Sequence, residues 1–401
     1  MSRVSGKMTS VADARYFARR RIPRSVMQQL ENGAGAFQTH ESNLRSLQEV
    51  MFRPRHGVRV ENRDQSVTVL GHQLRTPLIA SSIGGLRIAH RDGELGVTRA
   101  IGDAGGIQFV SGVTTTSIEE IMKAARGPVY FQLYYSRAGR AGMTAAIERA
   151  KRAGADGLVF CIDSALGHTP PRAFPVRQRY FLPKSASLSE TARFLPQLVA
   201  RPAWTLDLLR GGMSLQAPMA TDEDGRELPF GVAAEAAFER WVDWSDLDWI
   251  REAWDCPIIV KGVLSAEEAR EAAERGAVAV VVSNHGGNRL DGTVPALPAL
   301  PEVVAAVGDE IDVFFDSGIR SGADVVKALA LGAKAVGLGR AYLYPLAAAG
   351  EAGVRRILEL LRRDIDRTMA YLGCSSLDEL GPEHLLVPYA GWGSVRGPDT
   401  P

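Results

Sequence analysis

The chain repeats one local pattern eight times, and that repetition constrains its fold more than any single motif does. Short apolar runs occur at 77–81, 106–111, 129–134, 157–163, 257–262, 278–283, 313–318 and 335–339. Runs of small and β-branched residues without polar alternation read as strands buried on both faces. Amphipathic stretches lie between them, as in the segment that opens at Ser265 and carries Glu268 three residues on, a helix-capping pattern. Eight strand–helix units are the signature of an α/β protein built as a closed (β/α)₈ TIM barrel. The competing architecture, a doubly wound open sheet, has fewer strands and usually a glycine-rich dinucleotide turn after the first. That turn is absent here.

The expected organisation is one barrel domain over residues 1–386, followed by an irregular tail at 387–401. Residues 1–60 carry helical patterning, first over 10–20 and then over 23–31, with Pro23 suited to a helix first turn. A helix or helix pair from Ala349 to Leu372 is expected to close the barrel. One segment breaks the rhythm. The stretch 164–245 is rich in proline and, together with the residues up to the fifth strand, carries Trp204, Trp241, Trp244, Trp249 and Trp254. An insertion this long at the carboxyl edge of a strand is expected to act as a lid or to shape the substrate pocket. Its apolar run 203–209 raises contact with a membrane surface, although a packed helix or an oligomer contact is the stronger expectation.

Charge and cysteine usage narrow the function. Lys and Arg number 47 against 46 Asp and Glu, so nothing in the balance calls for nucleic acid or an anionic membrane. Cys161, Cys256 and Cys374 are far apart and lack CxxC spacing, which suggests a reducing compartment and no zinc site. No apolar run approaches membrane-spanning length and residues 1–24 lack a signal-like apolar core, so the expected location is the cytoplasm.

The polar residues gather at the carboxyl ends of the predicted strands, the edge where such barrels do chemistry. Ser111 ends the second strand, Gln132 and Tyr134 the third, Asp163 the fourth and Lys261 the fifth. Ser283 and His285 end the sixth, Asp316 and Arg320 the seventh, and Gly339 with Arg340 the eighth. The glycine-rich turns around Gly318 and Gly339, with their two arginines, follow strands seven and eight, where barrels commonly hold phosphate. A phosphate site, a lysine and a histidine at one mouth point to a phosphorylated cofactor and not to a metal. With flavin mononucleotide there, Lys261 would stabilise negative charge on the reduced ring. His285 would take a proton from the substrate, and Asp163 would orient that imidazole.

These motifs, Ser283-Asn284-His285-Gly286-Gly287, Val260-Lys261-Gly262-Val263, Phe131-Gln132-Leu133-Tyr134 and the run from Asp316 to Gly322 with Gly339-Arg340, resemble the FMN-dependent α-hydroxy acid dehydrogenase/oxidase family. The resemblance implies a TIM barrel with FMN at its mouth, His285 as base, Asp163 as its partner, and Lys261 and Gln132 against the flavin ring. It also implies Ser111 near the flavin, phosphate held by Gly318, Arg320, Gly339 and Arg340, Tyr134 facing a small-molecule substrate, and a homo-oligomer such as a tetramer. The electron acceptor (oxygen, a quinone or a protein carrier) stays open.

Three departures bear on the substrate. The family's carboxylate-clamping arginine, three residues after the histidine, is Asn288, and Arg289 lies one position further on. A one-residue shift in a tight loop is expected to send the guanidinium elsewhere. Gln29 stands where a substrate tyrosine is expected, and a second arginine after the fourth strand is matched only by Arg172, Arg177 or His168 at uncertain register. The pattern from Asn284 to Thr293 resembles the mycofactocin-biosynthesis branch, which implies a neutral peptide-derived amino-lactam instead of a 2-hydroxy acid. Both substrate classes stay open. An FMN barrel isomerase would need further basic residues for a diphosphate, and a non-enzymatic flavin binder would have no use for Lys261 and His285 together.

Overall fold

In the computed structural model, which describes residues 4–136, 138–163, 195–210, 215–237 and 242–388, all eight expected strands form. They are β1 (Leu78–Ala80), β2 (Ile107–Ser111), β3 (Val129–Leu133), β4 (Gly157–Cys161), β5 (Ile258–Val263), β6 (Ala279–Val282), β7 (Asp312–Phe315) and β8 (Ala335–Leu338). Each pairs in parallel with the next, and β8 pairs with β1, so the sheet closes on itself. The barrel is α/β as expected.

Closure explains the uniform apolarity of the runs. Ile79, Phe109, Tyr130, Val159, Ile259, Val281 and Phe314 pack inside as one core, while the alternate residues face the helices. A hairpin of Val67–Val69 with His72–Leu74 adds Val69 and Leu74 to the inner core. Leu70 N donates to the carboxylate of Asp312 at the first residue of β7, so this hairpin plugs the end of the barrel opposite the strands' carboxyl ends. The opposite end is left for the polar residues.

Before the barrel come α1 (Val11–Arg21), α2 (Arg24–Leu30) and α3 (Gln38–Glu49). Ser10 caps α1 by accepting from Asp13 N. Pro23 is the N-cap of α2, one position before the first turn it was expected to occupy. The closing helix α4 (Arg340–Leu372) starts at the eighth strand end and breaks at Ala349 and Gly350, so the second half begins where a new helix was expected. Gly350 has φ 63°, and a Cβ there would lie 2.2 Å from the Asp92 carboxylate, which accepts from Glu351 N across the break.

Residues 164–194, and with them Arg172, Arg177 and His168, lie outside the described residues, as do Trp241 and the tail 389–401. The described part of the insertion contains the helix Pro202–Arg210, a hairpin of Gln216–Thr221 with Glu227–Pro229, and the helices Phe230–Ala236 and Trp244–Ala253. Trp204 is buried and its indole N–H donates to Ile88 O at 2.8 Å, while Arg21 pairs with Asp207. Phe230 packs against Gly85, just beyond the end of β1. The apolar run therefore packs as a helix near the barrel mouth on its Trp204 face, with Leu206 and Leu209 turned outward. No helix among the described residues is long and apolar enough to cross a membrane.

Candidate active site

The strand ends bring His285, Asp163, Lys261, Ser283 and Asp316 into one connected network. His285 lies just past β6 with φ 54°, an uncommon conformation for a residue with a side chain. Its backbone N–H donates to Ser283 Oγ at 3.1 Å, and Nδ1 makes a short contact with Asp163 Oδ2. Asp163 can come this close because Gly262, at φ 102°, has no side chain: a Cβ there would lie 2.3 Å from the Asp163 carboxyl carbon. Lys261, the residue before that glycine, donates from Nζ to Ser283 Oγ at 2.7 Å and pairs with Asp316 Oδ2 at 3.1 Å. Asp316 also accepts from Ser81 and Ser317, so it serves the site as the lysine's counterion.

The charges follow from this packing. Burial, then the cations of Arg289 and Lys261, push the His285 imidazole down to about 4, with Asp163 opposing them. Burial works to raise Asp163, but His285, Lys261 and Arg289 outweigh it and hold the carboxyl below its ordinary range. Burial also works against the Lys261 charge, and Asp316 and Asp163 more than offset it. At neutral pH the site thus holds a neutral imidazole against a carboxylate, beside a charged lysine. That is a proton acceptor with an orienting partner.

Arg289 corrects an expectation. It comes near enough that its charge is felt by His285, Asp163, Tyr134 and Cys161, so the shift of one residue does not carry it away from the site. The loop carrying it is folded back against the N-terminal helices. Asp291 accepts from Ala36 N and Thr39 N, and the Asn284 and Asn43 side chains exchange hydrogen bonds of 2.8 and 2.9 Å. Asn288 takes a long hydrogen bond, 3.4 Å, from Arg340 Nη2.

The other half of the mouth is cationic. Arg340 is buried and donates to Asn32 O at 2.6 Å and to His40 Nδ1 at 2.6 Å, while Arg320 donates to Ile319 O. Among the described residues neither guanidinium has a carboxylate within ion-pair distance, and burial pushes Arg340 down to about 10. His40 is pushed down to about 4 by burial, Arg340 and Arg320, which keeps it neutral. Helix α4 begins here with Gly339 as N-cap and no side-chain cap, and a Cβ on Gly339 would meet nothing within 4 Å. Two cations, an uncapped helix N-terminus and open space beside the backbone fit a phosphate. Between the halves, Gln132 is buried, accepts from Ser82 through Oε1, and leaves Nε2 without an acceptor, a donor suited to a ring carbonyl. Ser111 is buried at the end of β2, and Gly318 at φ 95° lies against Asn43 O.

Tyr134 follows β3, and burial raises its phenol above its ordinary range, so it is a neutral donor near Arg289. Gln29 is half-buried in α2, and its side chain makes no hydrogen bond to the catalytic group. Cys161, Gly262, Asn43 and His40 were not anticipated as site residues. Only Gly262, a glycine directly after a lysine within a strand, carried a local signal.

A closed parallel barrel with an imidazole–carboxylate pair, a buried lysine and two arginines without carboxylate partners at its carboxyl edge fits a flavin-dependent oxidoreductase. The comparisons make the assignment specific. The sequence profile described as FMN-dependent dehydrogenase matches residues 18–387, and the chain belongs to that family, with FMN as its cofactor. It is 38% identical over 385 residues to pre-mycofactocin synthase of Mycolicibacterium smegmatis, covering 94% of each chain. It is also 38% identical over 391 residues to an L-lactate dehydrogenase of Caulobacter vibrioides, covering 96% of this chain and all of that one. Among solved structures, the monotopic membrane protein (S)-mandelate dehydrogenase superposes with a TM-score of 0.87 at 34% identity over 95% of this chain.

Proposed function

We propose that the enzyme oxidises a carbon bearing a hydroxyl or amino group next to a carbonyl, in a 2-hydroxy acid or a related α-hydroxy or α-amino amide. The observation that carries this reading is His285 Nδ1 in short contact with the Asp163 carboxylate, beside Lys261. His285 takes the proton from the substrate hydroxyl or amine, and Asp163 stabilises the imidazolium that results. Bound FMN would supply the acceptor for the two electrons leaving that carbon. Lys261 and Gln132 are the residues that would face its ring. Gly318, Arg320, Gly339 and Arg340 would hold its phosphate. Tyr134 donates a hydrogen bond to the substrate carbonyl, and Arg289 supplies the cation that a carboxylate needs.

The second reading, a neutral peptide-derived lactam, is favoured by a different observation. Asn288 takes the place of the usual clamp, and the relatives at 38% identity include pre-mycofactocin synthase. An amide-bearing substrate can exchange hydrogen bonds with asparagine without leaving a charge unpaired. Anaerobic titration of the yellow protein separates the two. Bleaching of the visible flavin band by lactate, glycolate or mandelate supports the acid. Bleaching by the lactam or by 2-hydroxy amides alone supports the neutral substrate. No bleaching by either class would overturn both.

A further inference from the structure

One residue at the mouth has no part in the chemistry above. Cys161 is the last residue of β4, buried, and two positions before Asp163. In the barrel it stands beside Lys261, its register partner on β5. Its Sγ, a carboxylate oxygen of Asp163 and an imidazole nitrogen of His285 all lie within 4.8 Å of one another. In a tetrahedral site with metal–sulfur and metal–nitrogen distances of about 2.3 and 2.0 Å, ligand atoms sit roughly 3.3–3.6 Å apart. Side-chain adjustments on the order of 1 Å would close the three groups around one ion.

The donor set is selective. A thiolate, an imidazole and a carboxylate suit Zn²⁺ and other thiophilic divalent ions, and exclude Mg²⁺ and Ca²⁺, which want oxygen throughout. Thiolate and carboxylate together neutralise a dication, and coordination has to overcome the burial that pushes the Cys161 thiol up and the nearby Arg289 cation. Lys261, the nearest buried ammonium, is already matched by Asp316 at 3.1 Å. Three protein ligands leave a fourth position for water. Binding needs no redox partner: the thiol proton goes to solvent as the metal–sulfur bond forms.

We infer that Cys161, Asp163 and His285 form a three-ligand site for Zn²⁺ or a similar thiophilic ion, and that its occupation switches the enzyme off. A metal that holds the imidazole removes the proton acceptor and its carboxylate partner together, so metal binding and turnover exclude each other. The inhibitory part rests on the function proposed above. The binding part rests only on the three side chains.

The test uses untagged, metal-stripped, flavin-loaded protein. Equilibrium dialysis against ZnCl₂ with elemental analysis counts bound zinc, and CoCl₂ difference spectra report thiolate coordination through a sulfur-to-cobalt charge-transfer band. The expected result is one zinc per chain and a cobalt–thiolate band in the wild type. Cys161→Ser should bind zinc at least about tenfold more weakly and lose the band. Cys256→Ser, which alters the exposed cysteine, should keep both. Asp163→Asn should weaken zinc binding as Cys161→Ser does, which keeps the test open if one variant fails to retain its flavin. Zinc should also inhibit flavin reduction with the same Cys161 dependence. Zinc affinity equal in the wild type and Cys161→Ser would overturn the site, as would loss of the band on changing Cys256. Zinc bound through Cys161 in a protein that no substrate reduces would leave the metal site standing and defeat the functional reading instead.

Discussion

The two halves of the barrel mouth solve the same electrostatic problem differently. On the side of β4 to β7 the charges are matched from within: Asp163 faces His285, and Asp316 faces Lys261 at 3.1 Å. On the side of β7 and β8, Arg320 and Arg340 donate to backbone carbonyls, His40 and Asn288, with no carboxylate in ion-pair range among the described residues. A buried cation without an internal counterion costs stability unless an anion from outside supplies the missing charge. The first half has its charges already balanced, which suits the proton transfer proposed above. The second leaves cations for an outside anion, which suits the proposed phosphate.

Substitutions should break the halves separately. The largest effect belongs to His285→Ala, expected to slow flavin reduction by about 10²–10⁴-fold while the protein stays yellow. Anaerobic stopped-flow absorbance reads both. Gly262→Ala comes next. The new methyl collides with the Asp163 carboxyl, displaces it from His285, and should cost on the order of 10²-fold in the same rate. Arg320→Ala removes charge-assisted hydrogen bonds worth about 1.5–3 kcal/mol, or roughly 10–150-fold in FMN affinity, as fluorescence titration of flavin-free protein would measure.

The pH dependence sharpens the contrast at lower cost to the fold. With His285 as the proposed base, kcat/KM should hold down to about pH 4 and fall below it. Arg289→Gln removes one of the cations that depress this imidazole, so the acid limb should move upward toward the ordinary histidine range. A separate prediction concerns stability. His40, His90 and His285 are each pushed down to about 4 in the fold, while the unfolded chain takes up its protons near 6.5. Between those values the unfolded state binds more protons, so stability should decline as pH falls from about 6.5 to about 4 and change little from these groups below that. Thermal melts across that window would check it.

Most of the barrel was legible because burial on both faces leaves a strand no polar alternation, and all eight runs stood out in the sequence for that reason. The plug hairpin at 67–74 was not, since its strands are three residues each and half-exposed. Within the site, His285, Lys261 and Asp163 announced themselves as polar residues ending apolar runs. Cys161 and Asn43 did not, because a buried cysteine ending a strand and an asparagine inside a helix look like packing until the fold brings them to the mouth. The direction of Arg289 is hidden for a related reason. Spacing along a loop says little about direction once Asp291 and Asn284 bend that loop back onto α3.

The most direct test of the division between the halves measures two quantities, FMN affinity and the anaerobic rate of flavin reduction at saturating FMN, in His285→Ala and Arg320→Ala. The division predicts opposite losses. His285→Ala should keep FMN affinity and lose reduction, while Arg320→Ala should lose more in affinity than in reduction rate. If both variants lost the same property to the same degree, the mouth would be a single cooperative site and its separation into a proton-transferring half and a phosphate-holding half would be wrong.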